Sequence, residues 1–224
     1  MPVARRSAAT VLCVRRAADG VHQEVLVGQS HVRNWYRSTA PSDVVLMRYG
    51  GEFKLPGGVQ DEQDPTLRHT ALRELREEFL LPADESQAGG VHDGNFIVHL
   101  LATHAIAAHG MNASGAGFVM HCFVALEDEN PWVKSIDAAA VTATLRQRED
   151  EFQALLASGE YWKVAPGPAR SAAAPEVHEC RWMHVTALLA LLSAPRTTPA
   201  NDFQKAEFKR YAIRERDPMW SVSN

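Results

Sequence analysis

Apolar residues along the chain fall into two rhythms. Residues 8–16 (AATVLCVRR) and 23–28 (QEVLVG) are short runs flanking Asp19-Gly20, a turn pair, and they predict a β-hairpin. Residues 44–48 form a third apolar run, and the Gly50-Gly51 turn leads from it into Phe53-Lys54-Leu55, which reads as a strand approaching a tight loop at Pro56-Gly57-Gly58. Residues 95–108 and 117–126 are β-branched and aromatic enough for two strands, and residues 176–185 alternate like another. The second rhythm is helical. Leu72, Leu75 and Phe79 recur at i, i+3 and i+7, giving one apolar stripe that Leu80-Leu81-Pro82 brings to an end. Residues 135–158 predict a long helix with Asp137 near its start and Gly159 just past its end, and residues 186–192 predict a shorter one.

Between these elements, residues 83–94 and 160–175 are loops rich in Gly, Asp, Ser or Pro, the second placed to drape over a pocket. The pattern defines one domain over residues 1–194. Residues 195–224 form an appendage: a linker, then a charged helix over 202–216 whose Phe203, Ala206, Phe208 and Tyr211 suit a docking or homodimer element.

Composition narrows the class. With 224 residues, 46% apolar and 22% charged, the chain has the makeup of a globular domain with a substantial core. A net charge of −4 argues against a general nucleic-acid binder, while phosphorylated small molecules remain acceptable ligands if metal ions supply positive charge. Cys13, Cys122 and Cys180 show no paired spacing and read as buried small hydrophobes in a reducing compartment. The Asn112-Ala113-Ser114 sequon would count only in a secreted protein, and no apolar run is long enough to span a bilayer. Arg5, Arg6, Arg15 and Arg16 have the composition of a mitochondrial transit peptide, but the first strand already starts at residue 8, which favours a cytoplasmic protein.

The candidate chemistry lies on the first helix. Glu74, Glu77 and Glu78 are spaced i, i+3 and i+4, so they gather three carboxylates on one face. Like charges so placed cost a helix a few tenths of a kcal/mol per pair, roughly, and Arg73 and Arg76 offset only part of that. A hard divalent cation would remove the repulsion. Just upstream, Gly57 and Gly58 allow backbone to approach a ligand or metal closely. In the polar stretch 29–43, Trp35 and Arg37 mix an aromatic with a cation, fit either to hold a base and phosphate or to pack the loop on the core, and Arg48 is a further substrate-side candidate. His99, His104 and His121 fall in predicted strands, where a lone histidine is more often structural than catalytic.

Gly58, Asp64 and the run Arg73-Glu74-Leu75-Arg76-Glu77-Glu78 together resemble the box of the Nudix superfamily. Three positions depart from it: Asp64 stands for the usual glutamate, one extra residue separates it from Arg73, and Leu80 replaces a glycine. The resemblance implies an α/β fold, an α/β/α sandwich with a mixed sheet and a loop-helix-loop catalytic element. It also implies Mg2+- or Mn2+-dependent hydrolysis of a nucleoside diphosphate linked to another group. Within it, Glu74, Glu77 and Glu78 with a carbonyl from Gly57 or Gly58 would hold the ion, Glu74 would act as base, and Arg73 would orient the ligands through Glu77. A further glutamate outside the box often completes such sites, and Glu127, at the end of a predicted strand, is the candidate. Gly57 would also border the substrate. The string Phe53-Lys54-Leu55-Pro56-Gly57-Gly58 is similar as well to the RNA-binding Nudix subunit of the pre-mRNA cleavage factor, so a binding module without hydrolysis is the competing expectation.

Overall fold

The computed structural model describes residues 6–43, 45, 47, 50–106, 118–164 and 174–193. The hairpin forms as the pattern predicts: β1 (Arg6–Arg16) and β2 (Gln23–Ser30) pair antiparallel. Gly20 takes φ +70°, and the Asp19 carboxylate accepts from the Val21 and His22 amides, so the turn satisfies its own backbone. The sheet has seven strands and is mixed. Its main path runs β3 (Phe53–Lys54), β2, β1, β6 (Phe118–Leu126), β5 (His99–Ile106), with β1 and β6 parallel; β4 (Gly57–Val59) joins β1, and β7 (Val177–His184) joins β2.

One detail of this sheet positions everything that follows. β1 uses the same edge twice: Ala8–Thr10 pair with β4, whereas Val14–Arg16 pair with β2. The sheet therefore forks. Pro56, at the fork, accepts from the Thr10 hydroxyl at 2.7 Å and from the Val11 amide at 3.1 Å.

Helices cover both faces. Ala9, Val11 and Cys13 of β1 point to the side occupied by α1 (Leu67–Phe79), α2 (Pro131–Ser135) and α3 (Ala138–Ser158), where Leu72, Leu75, Phe79, Trp132 and Leu145 are buried with them. On the opposite side Val25 and Val27 pack with Leu188 of α5 (Val185–Ser193). The architecture is thus α/β/α, held by burial of apolar faces from alternate strand positions.

The helix termini follow the sequence signals. Asp137 caps α3, accepting from the Ala139 and Ala140 amides, and Gly159 ends it at φ +75° before the single turn α4 (Glu160–Lys163). Thr66 caps α1 by accepting from the His69 amide. At the other end Leu80 adopts φ +50°, ψ +36°, the left-handed conformation that favours glycine, while the amides of Leu80 and Leu81 close on the Arg76 carbonyl. This is the position where the Nudix box has its glycine.

Some expectations needed adjustment. The long helix predicted from residue 135 starts at Ala138, because Ile136 is extended, and a short helix that the pattern did not predict, α2, precedes it. The strand predicted from residue 95 starts at His99, since the Asn130 side chain bonds both the amide and the carbonyl of Ile97 and holds that stretch as a loop. All three cysteines are buried free thiols. Arg48 and the 44–48 run in part, the Asn112 sequon, Arg5 and the 202–216 helix lie outside the described residues. No helix among the described residues is long and apolar enough to cross a membrane.

Candidate active site

The fork in the sheet brings β4 beneath the first turns of α1. A Cβ on Gly57 would strike the Ala9 carbonyl and Thr10, so this glycine exists to let β4 lie against β1. A Cβ on Gly58 would strike the Glu74 carboxylate instead. Glu74 therefore sits directly over the Gly58 backbone. Beside it opens a cleft of about 690 Å³, lined by Tyr36, Arg73, Glu74, Glu77, Glu78, Leu80, Arg148 and Glu176, among others. Helical spacing gathers the three box glutamates as expected, and they share one cavity.

Their surroundings differ. Arg73 serves the outer part of the cluster: its Nε and Nη2 bond Asp64 at 3.0–3.2 Å, Nη2 also reaches the Val59 carbonyl at 3.2 Å, and Nη1 lies 2.9 Å from Glu74 and 3.0 Å from Glu77. One guanidinium thus ties the β4–α1 loop to the helix through charge-assisted bonds. Burial alone would raise the Asp64 carboxyl, but Arg73, with the Asp61 amide and Thr70, holds it below the usual carboxylate range. Although Asp64 sits one residue off the family spacing, it meets Arg73 squarely.

The inner part is drier. Glu78 is only 5% exposed, its Oε1 ion-paired with the Lys54 ammonium, which also lies 3.6 Å from Glu176. Glu78 Oε2 is buried with no hydrogen-bond partner among the described residues. Burial raises the Glu78 carboxyl well above its usual range; Lys54 opposes that, and Glu176 and Glu74 reinforce it. Glu74 is raised in the same way, by burial first, against Arg73. Lys54 itself is held in its charged form by Glu78 and Glu176, despite desolvation. For Glu78, burial outweighs a single ammonium when two more carboxylates are near: the cluster is short of positive charge.

As the structure stands, no group of three or more His, Cys, Asp or Glu side chains among the described residues is drawn together tightly enough to hold a metal ion. Arg73 and Lys54 lie against the carboxylates instead. The donor set nevertheless fits magnesium or manganese: it is all oxygen, it borders open volume, and Glu78 Oε2 is an unengaged buried acceptor.

Other sequence candidates are elsewhere. Glu127 follows β6, where its amide bonds the Val14 carbonyl and its carboxylate lies 3.9 Å from Arg16. That is the end of β1 away from β4, so Glu127 does not join the cleft. Trp35 packs in the cluster of Phe152, Tyr161 and Trp162, under the Arg33 guanidinium at 3.8 Å, and its role is to seat the loop on α3 and α4. Arg37 is exposed and does not line the cleft. The neighbouring Tyr36, 41% exposed, does. His99 pairs with Glu129 and His121 lies near Thr103, both apart from the cleft. Glu176 and Arg148 line the cleft and Lys54 is paired with Glu78; sequence reasoning missed these three, while Tyr36 belongs to the 29–43 loop it had marked. Of the three, only Lys54, within FKLPGG, stood beside a marked motif.

No family model matches the chain, and no curated protein sequence matches it. Solved structures do. The NUDIX domain of Shewanella oneidensis NrtR, determined with ADP ribose, is 18% identical over 94% of this chain and 88% of that one, with a TM-score of 0.44. The Nudix hydrolase RenU of M. smegmatis is 16% identical over 94% and 86%, with a TM-score of 0.35. The T. brucei MERS1–RNA complex is 19% identical over 84% of this chain and 54% of that one, with a TM-score of 0.40. What its site can do is read from its own residues.

Proposed function

We propose that the chain is a Nudix-type pyrophosphohydrolase that cleaves a nucleoside diphosphate linked to another group, releasing a nucleoside monophosphate and a phosphorylated remainder. The observation that carries this reading is the placement of Glu74, Glu77 and Glu78 in one cleft, with Glu78 Oε2 buried and unpartnered. Held by those three carboxylates, Mg2+ or Mn2+ would neutralise phosphoryl oxygens and acidify a water. Glu74 accepts the proton of the attacking water on Oε2, the oxygen that Arg73 does not engage. Arg73, fixed by Asp64 and Val59, keeps Glu74 and Glu77 in place. At the rim the exposed Tyr36 ring suits stacking on a base, and Arg148 lines the same cleft.

The test is a panel of ADP-ribose, dinucleoside polyphosphates, coenzyme A, capped RNA and oxidised dNTPs, with Mg2+ or Mn2+, products being followed by phosphorus NMR. Turnover of at least one compound, lost on chelation and reduced by about 100-fold or more in Glu77→Gln, is expected. Full activity in a folded Glu77→Gln chain would end the reading.

A second reading has its own support. Arg73 and Lys54 already lie against the box glutamates, which lets the cleft fold without an ion, as a binding module for nucleotide or RNA would. Tight binding of single-stranded RNA with no turnover across the panel would favour it.

A further inference from the structure

The inner carboxylates already have a resident cation. Lys54 comes from β3 and Glu78 from α1, 24 residues on; their side chains are 15% and 3% exposed. Glu176 comes from the residue before β7, and its Oε2 lies 3.6 Å from the same ammonium. Three separate parts of the chain thus bring one point charge against two acids that line the cleft. Lysine suits this seat: the ammonium is compact, with three donors and no fork to align. Arg73 lies against Glu74 and Glu77 in the same sense, and Glu78 Oε2 is a buried acceptor with no partner among the described residues.

We propose that the Lys54 ammonium is a built-in cation of the acidic cleft: seated between Glu78 and Glu176, it fills a position that a divalent ion would otherwise take, and so limits how many ions the chain binds. This rests on reading the cleft as a cation site, and it deepens that reading. The open Glu78 Oε2, with Glu74 and Glu77, then serves a single divalent ion. The ammonium then supplies positive charge to Glu78 and Glu176 without metal. Lys54 is a positioning residue here, acting through Glu78.

The experiment counts ions on the metal-stripped full chain, without substrate. Mn2+ binding is followed by titration calorimetry and by the electron paramagnetic resonance signal of free Mn2+. One ion per wild-type chain is expected. Lys54→Met, which keeps length and removes charge, should bind one more ion, or the same ion about tenfold more tightly. Lys54→Arg, which restores the charge, should return to the wild-type count. Melting curves give a second measurement: Lys54→Met should melt lower than wild type without metal, and Mn2+ should raise it by more than it raises wild type. A folded Lys54→Met with wild-type count and affinity would overturn the proposal, as would a variant that Mn2+ fails to stabilise beyond wild type. Should wild type bind no ion while Lys54→Met binds one, the Lys54 assignment stands and the hydrolase reading falls.

Discussion

Arg73 and Lys54 do different work for one set of acids. Arg73 is part-exposed, spends its donors on Asp64, Val59, Glu74 and Glu77, and fixes a loop to a helix. Lys54 is nearly buried and holds Glu78 with Glu176 close by. At Asp64, pairing with Arg73 wins over desolvation, and its proton is given up more readily than usual. On the inner side, desolvation wins, and Glu78 keeps its proton more readily. A salt bridge therefore has no fixed meaning within a single cavity. Its effect depends on how many carboxylates share each cation and how much water reaches them.

Breaking the outer clamp should have the largest effect on stability. Arg73→Ala leaves Asp64 buried without its partner and should lower the unfolding free energy by about 3 kcal/mol, measured by urea denaturation. A loss under about 1 kcal/mol would put Arg73 with ordinary surface pairs and erase the contrast.

The paired glycines separate scaffold from site. In Gly57→Ala the new methyl meets β1 backbone, which should cost about 2 kcal/mol. In Gly58→Ala it meets only the end of the Glu74 side chain, so Glu74 shifts; Mn2+ affinity should fall by about tenfold with little change in melting temperature. Equal destabilisation by both would show that Glu74 is not free to yield.

Acidity sharpens the comparison, because the two sides have opposite signs. Asp64, lowered in the fold, contributes stability above its unfolded pKa of about 3.9 that is lost as pH falls. Glu74 and Glu78 are raised, so the native chain holds more protons than the unfolded one above about pH 4.3. Their contribution is complete below that pH and disappears as pH rises through the raised native values, at a slope of up to about 1.4 kcal/mol per pH unit for each proton. Denaturation of the metal-free chain across that range should show the decline, and Mn2+ should flatten it. A metal-free stability that climbs through neutral pH would contradict the dry inner half.

The smallest effect concerns Leu80. Leu80→Gly should be about 1 kcal/mol more stable than Leu80→Ala, since both remove the side chain and only glycine removes the penalty of φ +50°. Equal stability in thermal denaturation would mean the backbone relaxes.

Local features of this fold were legible because local rules set them. The Leu72, Leu75, Phe79 stripe is buried, Asp137 and Gly159 bound α3, and Asp19-Gly20 turns the hairpin. The three glutamates were legible as a group, but not their inequality: Glu78 adjoins the apolar stripe and is buried, whereas Glu77 is exposed. Partners brought from afar were not legible. Lys54 and Glu176 meet Glu78 only once β2 has paired with both β3 and β7, and nothing in their own spacing announces it. The same limit misplaced Glu127, chosen for standing at a strand end when the cleft lies by the opposite end of the sheet's central strand. It also misplaced Trp35, whose fate was decided by aromatic residues on α3 and α4 more than a hundred positions away.

The divided edge of β1 has a final consequence. β4 is registered on one half of that strand and β2, with β3 beside it, on the other, so Gly57 and Gly58 are seated by β1 and not by the loop that joins β2 to β3. Exchanging the part of that loop around Tyr36 would change the rim of the cleft while the glutamates of α1 keep their places.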